Sequence, residues 1–393
     1  MKTPLFRYFL VLMCVLWASA VSASDLSGQK EAPVPQTVTP GLNYLLSMVG
    51  SEHLQTLNED AIQPVIDFIL SPKDKSTLYY PENHSNMSSA YYGFDIHKSL
   101  KYILELGFNP HIPPFILSPS SIRLSYWAEI DGKKRELPNM AGMLSQLDKP
   151  YILDGIEHEE ITPDVNTGAY YGYDLNRTLI LLKYQGKPVL ISVARQKDIS
   201  DVGKKGLVLG KDDNWDYFYS GQKGLSKPGL GWVSSYMYGS STISVYIQQN
   251  DSLVRCGIYK WLRAGWANMN MVQNIHIYRG LKRYTKTLTQ VLEYPSLPSP
   301  DKMSEAFATI QAFTENELRA KVSDYISKLS RKYSQDATLI KDTTQDKGYV
   351  DHLDIHQMQS ILTIEYMKYL MGKNTIQDIA YFINPAELKV KGT

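Results

Sequence analysis

Between Ser241 and Leu292 the hydrophobic period changes from that of a strand to that of a helix, and each segment needs a partner for its apolar surface. Ile243, Val245 and Ile247 alternate with Thr242, Ser244, Tyr246 and Gln248, the period of two that marks a strand with one buried face. Gln249-Asn250-Asp251-Ser252 is turn chemistry, and Leu253–Arg263 returns as a second strand. Val254, Cys256, Ile258 and Leu262 fall on one side of it; Arg255, Tyr259, Trp261 and Arg263 fall on the other. Past Ala264-Gly265-Trp266, the residues Met271, Val272, Ile275, Tyr278, Leu281, Leu288 and Leu292 recur at helical spacing. A curved antiparallel sheet with this helix laid across it buries both apolar surfaces.

The rest of the chain extends this plan to an α+β protein. Leu42–Leu70 reads as two helices and Ile96–Leu106 as another, separated by the Pro-, Asn- and Ser-rich Ser71–Ser89. Strands then take over. Ile122–Ile130, the turn Asp131-Gly132 and Lys134–Leu137 predict one hairpin, and Thr178–Tyr184, Gln185-Gly186-Lys187 and Pro188–Ala194 predict another. The proline run Tyr294–Pro300 stops regular structure after the long helix. Beyond it 301–333, 353–371 and 375–382 read as helices. The expected organisation is therefore a leader over 1–23, a linker over 24–40, an α+β main domain over 41–293 and an all-helical region over 301–393. In element order, strands followed by a long helix, the main domain resembles helix-grip proteins such as the START-like lipid carriers. That resemblance implies a sheet wrapped on a helix around a cavity; the helices after Pro300 lie outside the pattern.

Lys2 and Arg7, the apolar Tyr8–Trp17 and the small residues up to Ala23 have the form of a secretory signal peptide. They predict a periplasmic or secreted protein whose mature chain begins near Ser24. No later stretch reaches the ~18 consecutive apolar residues of a membrane span. Without Lys2 and Arg7 the formal charge of +1 becomes −1, which leaves no basic excess for nucleic acid. Cys256 is the only cysteine beyond the leader; its place on the apolar side of its strand predicts a buried thiol.

Candidate chemistry is sparse. Ala90–Leu100 (AYYGFDIHKSL) is echoed by Ala169–Leu179 (AYYGYDLNRTL). A duplicated unit would bring Asp95 and Asp174 together as a carboxylate pair for hydrolysis; a reused turn, with Gly for the bend and Asp as a cap, explains the same residues. His352 and His356 stand at i and i+4, the spacing of two zinc ligands on one helix face. The Glu of H-E-x-x-H is missing, and Asp351 as a helix cap accounts for the segment without metal. Asp212, Asn214 and Asp216 open like a calcium loop, but Tyr217 and Lys223 occupy positions that need Gly and Glu. Glu157-His158-Glu159-Glu160 reads as a solvated acidic loop, and no phosphate-cradling or cofactor motif is present.

Tyrosine is abundant, 28 residues against 10 phenylalanines, and it suits wet cavities and interfaces. Tyr236, Tyr238, Tyr246, Tyr259 and Trp261 on the strands, with Trp215 and Tyr217 in the Gly-rich Gly203–Gly231, are the candidate ligand contacts. The function expected from these features is non-catalytic binding of an apolar or amphipathic small molecule, or of an envelope protein, without a cofactor.

Overall fold

The computed structural model describes residues 30–379 apart from 51–56, 134–135, 165–166, 228–230 and 346–347. The leader over 1–23, residues 24–29 and the chain from 380 onward lie outside the described residues.

The strands, in chain order, are β1 (Lys30–Pro33), β2 (Thr77–Tyr80), β3 (Ser88–Ile96), β4 (Ile122–Ile130), β5 (Tyr151–Ile161), β6 (Thr167–Tyr170), β7 (Gly172–Tyr184), β8 (Lys187–Gln196), β9 (Lys204–Val208), β10 (Tyr217–Lys223), β11 (Leu225–Lys227), β12 (Gly231–Val233), β13 (Tyr236–Asn250) and β14 (Leu253–Gly265). The helices are α1 (Thr39–Met48), α2 (Glu59–Leu70), α3 (Leu100–Gly107), the short α4 (Met140–Met143), α5 (Asn274–Leu292), α6 (Pro300–Gln311), α7 (Glu315–Lys332), α8 (Ala337–Gln345) and α9 (Ile355–Leu370). The protein is thus α+β, as the sequence predicts.

Nine strands form the main sheet in the order β1-β2-β3-β14-β13-β8-β7-β5-β4. Every neighbouring pair is antiparallel except β1 with β2. The β7–β8 hairpin forms where expected: Gln185 and Gly186 take φ of 50° and 78°, the left-handed pair required by a tight turn matching strand twist. The first predicted hairpin does not close. Asp131-Gly132 does turn left-handed, but only a single bridge from Ile130 to Lys133 follows. Of the expected return limb, residues 134–135 are outside the description and 136–137 form no strand; β4 pairs with β5 instead. Two further segments differ from expectation. Lys30–Pro33, assigned to a linker, is β1, and Ala90–Ile96 is strand, with α3 starting only at Leu100 behind its Ser99 cap.

Both faces of the sheet are covered. On one, Ile243, Val245, Ile247, Tyr259, Trp261 and Val193 pack with Leu42, Leu45, Ile62, Val65 and Ile69 of α1 and α2. The two helices cross closely at Gly41, where a Cβ would stand 2.4 Å from the Ala61 carbonyl oxygen and 2.7 Å from Val65 Cγ2. Gly41→Ala must push them apart, and a loss of about 1–3 kcal/mol of unfolding free energy is expected in denaturant titration. On the other face lie α5 and the C-terminal helices. Leu179, Leu190, Val254 and Cys256 share one continuous core with Leu288, Phe307, Val322 and Leu362. The proline run ends α5, and Pro300 then opens α6; proline is tolerated there because the first helical N–H has no partner in any case.

Candidate functional site

The first link is strand alternation. With Ile243, Val245 and Ile247 turned toward α1 and α2, the alternate residues Ser240, Thr242, Ser244 and Tyr246 of β13 must face α5. Their cross-strand partners on β14 are Leu262, Lys260, Ile258 and Cys256. The same face carries Glu157 and Glu159 on β5, Tyr173, Leu175 and Arg177 on β7, and Ser192 on β8. The helix therefore roofs a strip of the sheet whose centre is polar. Roof and floor do not meet there: a cavity of about 510 Å³ separates them, within the roughly 300–1,000 Å³ of small-molecule sites.

The floor has two charged groups of different character. Arg177 is fully engaged: Nε donates to Glu157 Oε2 at 2.5 Å, Nη1 to Ser192 Oγ at 2.8 Å, and Nη2 to Glu159 Oε1 at 3.1 Å. Glu159 accepts a further bond from the Tyr173 hydroxyl at 3.0 Å. Burial pushes the Glu157 carboxyl up to about 7, with Arg177 opposing the rise and Glu159 adding to it. Burial works against the charge of Arg177, but Glu157 and Glu159 more than offset it. A smaller pocket of about 90 Å³, lined by Glu157, Ser192, Tyr246 and Tyr284, continues from this end. Lys260 differs: its ammonium donates to Ser240 Oγ at 2.9 Å and Thr242 Oγ1 at 3.0 Å, and no carboxylate among the described residues pairs with it. Burial lowers it to about 8, against an upward pull from Glu159.

The walls are apolar. Ile258 and Leu262 flank Lys260 on its own strand, Ile277 and Leu281 close from α5, and Met237, Tyr171 and Trp266 complete the outer part. At the rim Arg283 of α5 is held by both oxygens of Asp212, at 2.7 and 2.5 Å. Gly280 also lines the space and is exposed; a Cβ there would meet nothing within 4 Å. A glycine in mid-helix is unfavourable by ~1 kcal/mol relative to alanine, and here its bare surface leaves an opening.

None of the candidate ligand contacts lines the larger cavity; Tyr246 borders the smaller pocket. Tyr259 and Trp261 are buried on the opposite face against α1 and α2, with Trp261 Nε1 bonded to the Glu82 carbonyl at 2.8 Å. Trp215 and Tyr217 are buried in the core shared with the C-terminal helices, with Lys373 over the Trp215 ring. Tyr236 and Tyr238 lie together, half-buried, on the side of β13 opposite Met237, and the Tyr238 hydroxyl accepts the Asn268 N–H at 2.8 Å.

Asp95 and Asp174 do not pair. β14, β13 and β8 stand between their strands, on the order of 19 Å at the usual strand spacing. Each instead faces a basic residue across its strand, Arg255 at 2.9 Å and His158 at 2.8 Å. The echo is thus a reused strand segment whose Asp contacts a cross-strand side chain, and its copies diverge at Leu100, which starts a helix, and Leu179, which continues a strand. His352 and His356 do not share a helix face, because Asp354 rather than Asp351 caps α9, accepting from Gln357 N at 2.8 Å. His352 falls before the helix, and His356 stacks on Tyr126 with ring centroids 4.6 Å apart. The acidic run 157–160 is strand, not a solvated loop; Glu160 is bonded to Arg123 and Gln357.

Sequence reading missed Lys260, Glu157, Glu159 and Arg177. A signal existed for the first: Lys260 interrupts the apolar register Val254, Cys256, Ile258, Leu262. No protein-family model and no curated protein matches the chain.

Proposed function

We propose that this is an exported, non-catalytic binding protein that encloses an apolar or amphipathic small molecule between α5 and the sheet. The observation that carries the reading is the cavity of about 510 Å³ with apolar walls and a polar floor, a combination that orients one end of a ligand and desolvates the rest. The leader-like residues 1–23 support export. A hydrolase built on Asp95 with Asp174, or on His352 with His356, has no such support, because neither pair is assembled.

Gly280→Leu tests the reading. The new side chain projects into open space at the mouth of the cavity, and leucine favours the helix over glycine. The variant is expected to melt at or above the wild-type temperature while losing uptake of the neutral fluorophore Nile red about tenfold or more. Unchanged uptake would place any binding elsewhere.

A further inference from the structure

Among the described residues no carboxylate forms an ion pair with Lys260, although Glu159 of the Arg177 cluster favours its charge. Arg177 is neutralised by two carboxylates and Arg283 by Asp212. Among the described residues the Lys260 ammonium is hydrogen-bonded to the hydroxyls of Ser240 and Thr242, which accept its bonds without compensating its charge. A charge set among apolar side chains without a counterion is unfavourable. Ile258 and Leu262 lie immediately before and after Lys260 on the same face of β14, so the ammonium sits at the edge of an apolar surface. An ammonium has three donors and two are used here; each hydroxyl, while accepting from Lys260, keeps its own O–H to give. One cation and two hydroxyl donors converging at the base of an apolar pocket form a cradle for an acid group.

We propose that the ligand is an amphiphile with a small carboxylate head, seated on Lys260, Ser240 and Thr242, whose apolar body runs along Ile258 and Leu262 beneath Ile277 and Leu281. The proposal rests on the binding reading above and adds the chemical class of the ligand. The lowered Lys260, at about 8, remains largely protonated at neutral pH and so keeps its attraction for an anion. The carboxylate would supply the counterion that Arg177 and Arg283 already have.

Calorimetric titration with dodecanoate and with dodecanol separates the head from the body. Wild-type protein is expected to bind dodecanoate at least about tenfold more tightly, the difference a charge-assisted hydrogen bond makes when desolvated. K260M should abolish the preference while retaining dodecanol, and K260R should keep it. Equal affinities in the wild type, or a preference that survives K260M, would overturn the proposal; the wild-type comparison decides even if a variant does not fold. If neither probe binds but Nile red uptake is blocked by Gly280→Leu, the acid head is wrong and the cavity reading stands. If Nile red also fails to bind, both fall.

Discussion

Replacing Lys368 by methionine is expected to lower the unfolding free energy by about 3–5 kcal/mol at neutral pH, the range for breaking a buried ion pair from one side. Lys368 of α9 is inaccessible to solvent and donates to Asp216 Oδ1 at 2.5 Å and Glu365 Oε1 at 2.6 Å. Asp216, before β10, also accepts from Lys332 and Tyr333 of the α7 end, and Glu365 accepts the backbone N–H groups of Ile376 and Gln377. One ammonium therefore joins the start of β10, in the three-stranded sheet β10-β9-β6, to three parts of the C-terminal region. Without it, two desolvated carboxylates remain. Burial already raises Glu365 from its ordinary value, with Lys368 holding the rise in check. A carboxyl raised in the folded state binds a proton there first, so folding gains as pH falls through its folded-state pKa. The variant should accordingly recover part of its loss at mildly acidic pH. Urea titrations at both pH values check this; wild-type stability at neutral pH would mean that the network contributes little.

Trp261→Ala should have an effect of similar size by a different route. The indole is 2% exposed, bonded to the Glu82 carbonyl and packed near His84, and removing such a side chain leaves a cavity that typically costs 3–5 kcal/mol. Because it lies on the face of the sheet away from α5, the folded variant should take up Nile red as the wild type does. Thermal melts and fluorophore titration together test the assignment: loss of uptake with unchanged stability would return Trp261 to the binding surface.

That prediction reverses what alternation alone suggests, and the reason is physical. On β13 and β14 the period of two identified the strands and their two faces correctly, and the switch to helical period placed α5 from Ile275 onward, whereas Met271 and Val272 precede the helix and Met271 is exposed. What a single strand cannot reveal is which face meets which neighbour. Large amphipathic residues such as Tyr259 and Trp261 resemble cavity lining, yet they fill the core under α1 and α2. Ser240, Thr242 and Ser244 resemble a solvent face, yet α5 roofs them. A polar strand face is ordinarily wet; here the covering helix comes from the same chain, and its own apolar stripe disguises the enclosure as plain packing. The charges of β5 were hidden for a related reason. Glu157 and Glu159 look solvated until Arg177, 18 residues from Glu159 in sequence, is seen opposite them. The caps Asn58 before α2 and Ser99 before α3 were signals that periodicity alone passed over, and the helix expected from Ile96 begins only at Leu100. Asp351 was displaced as a cap only because Asp354 has Gln357 to answer it.

The position of β3 has a consequence for how the chain acquires its fold. Its residues 88–96 zip onto β14, Tyr91 opposite Tyr259, a separation of 168 positions in sequence. The hairpin-linked strands β7–β8 and β13–β14 have close partners, whereas β1, β2 and β3 have no place in the sheet until β14 exists. Closing so long a loop is entropically expensive and slow. The N-terminal strands are therefore expected to join late, and a chain stopped before Val254 would leave β3 without its β14 partner.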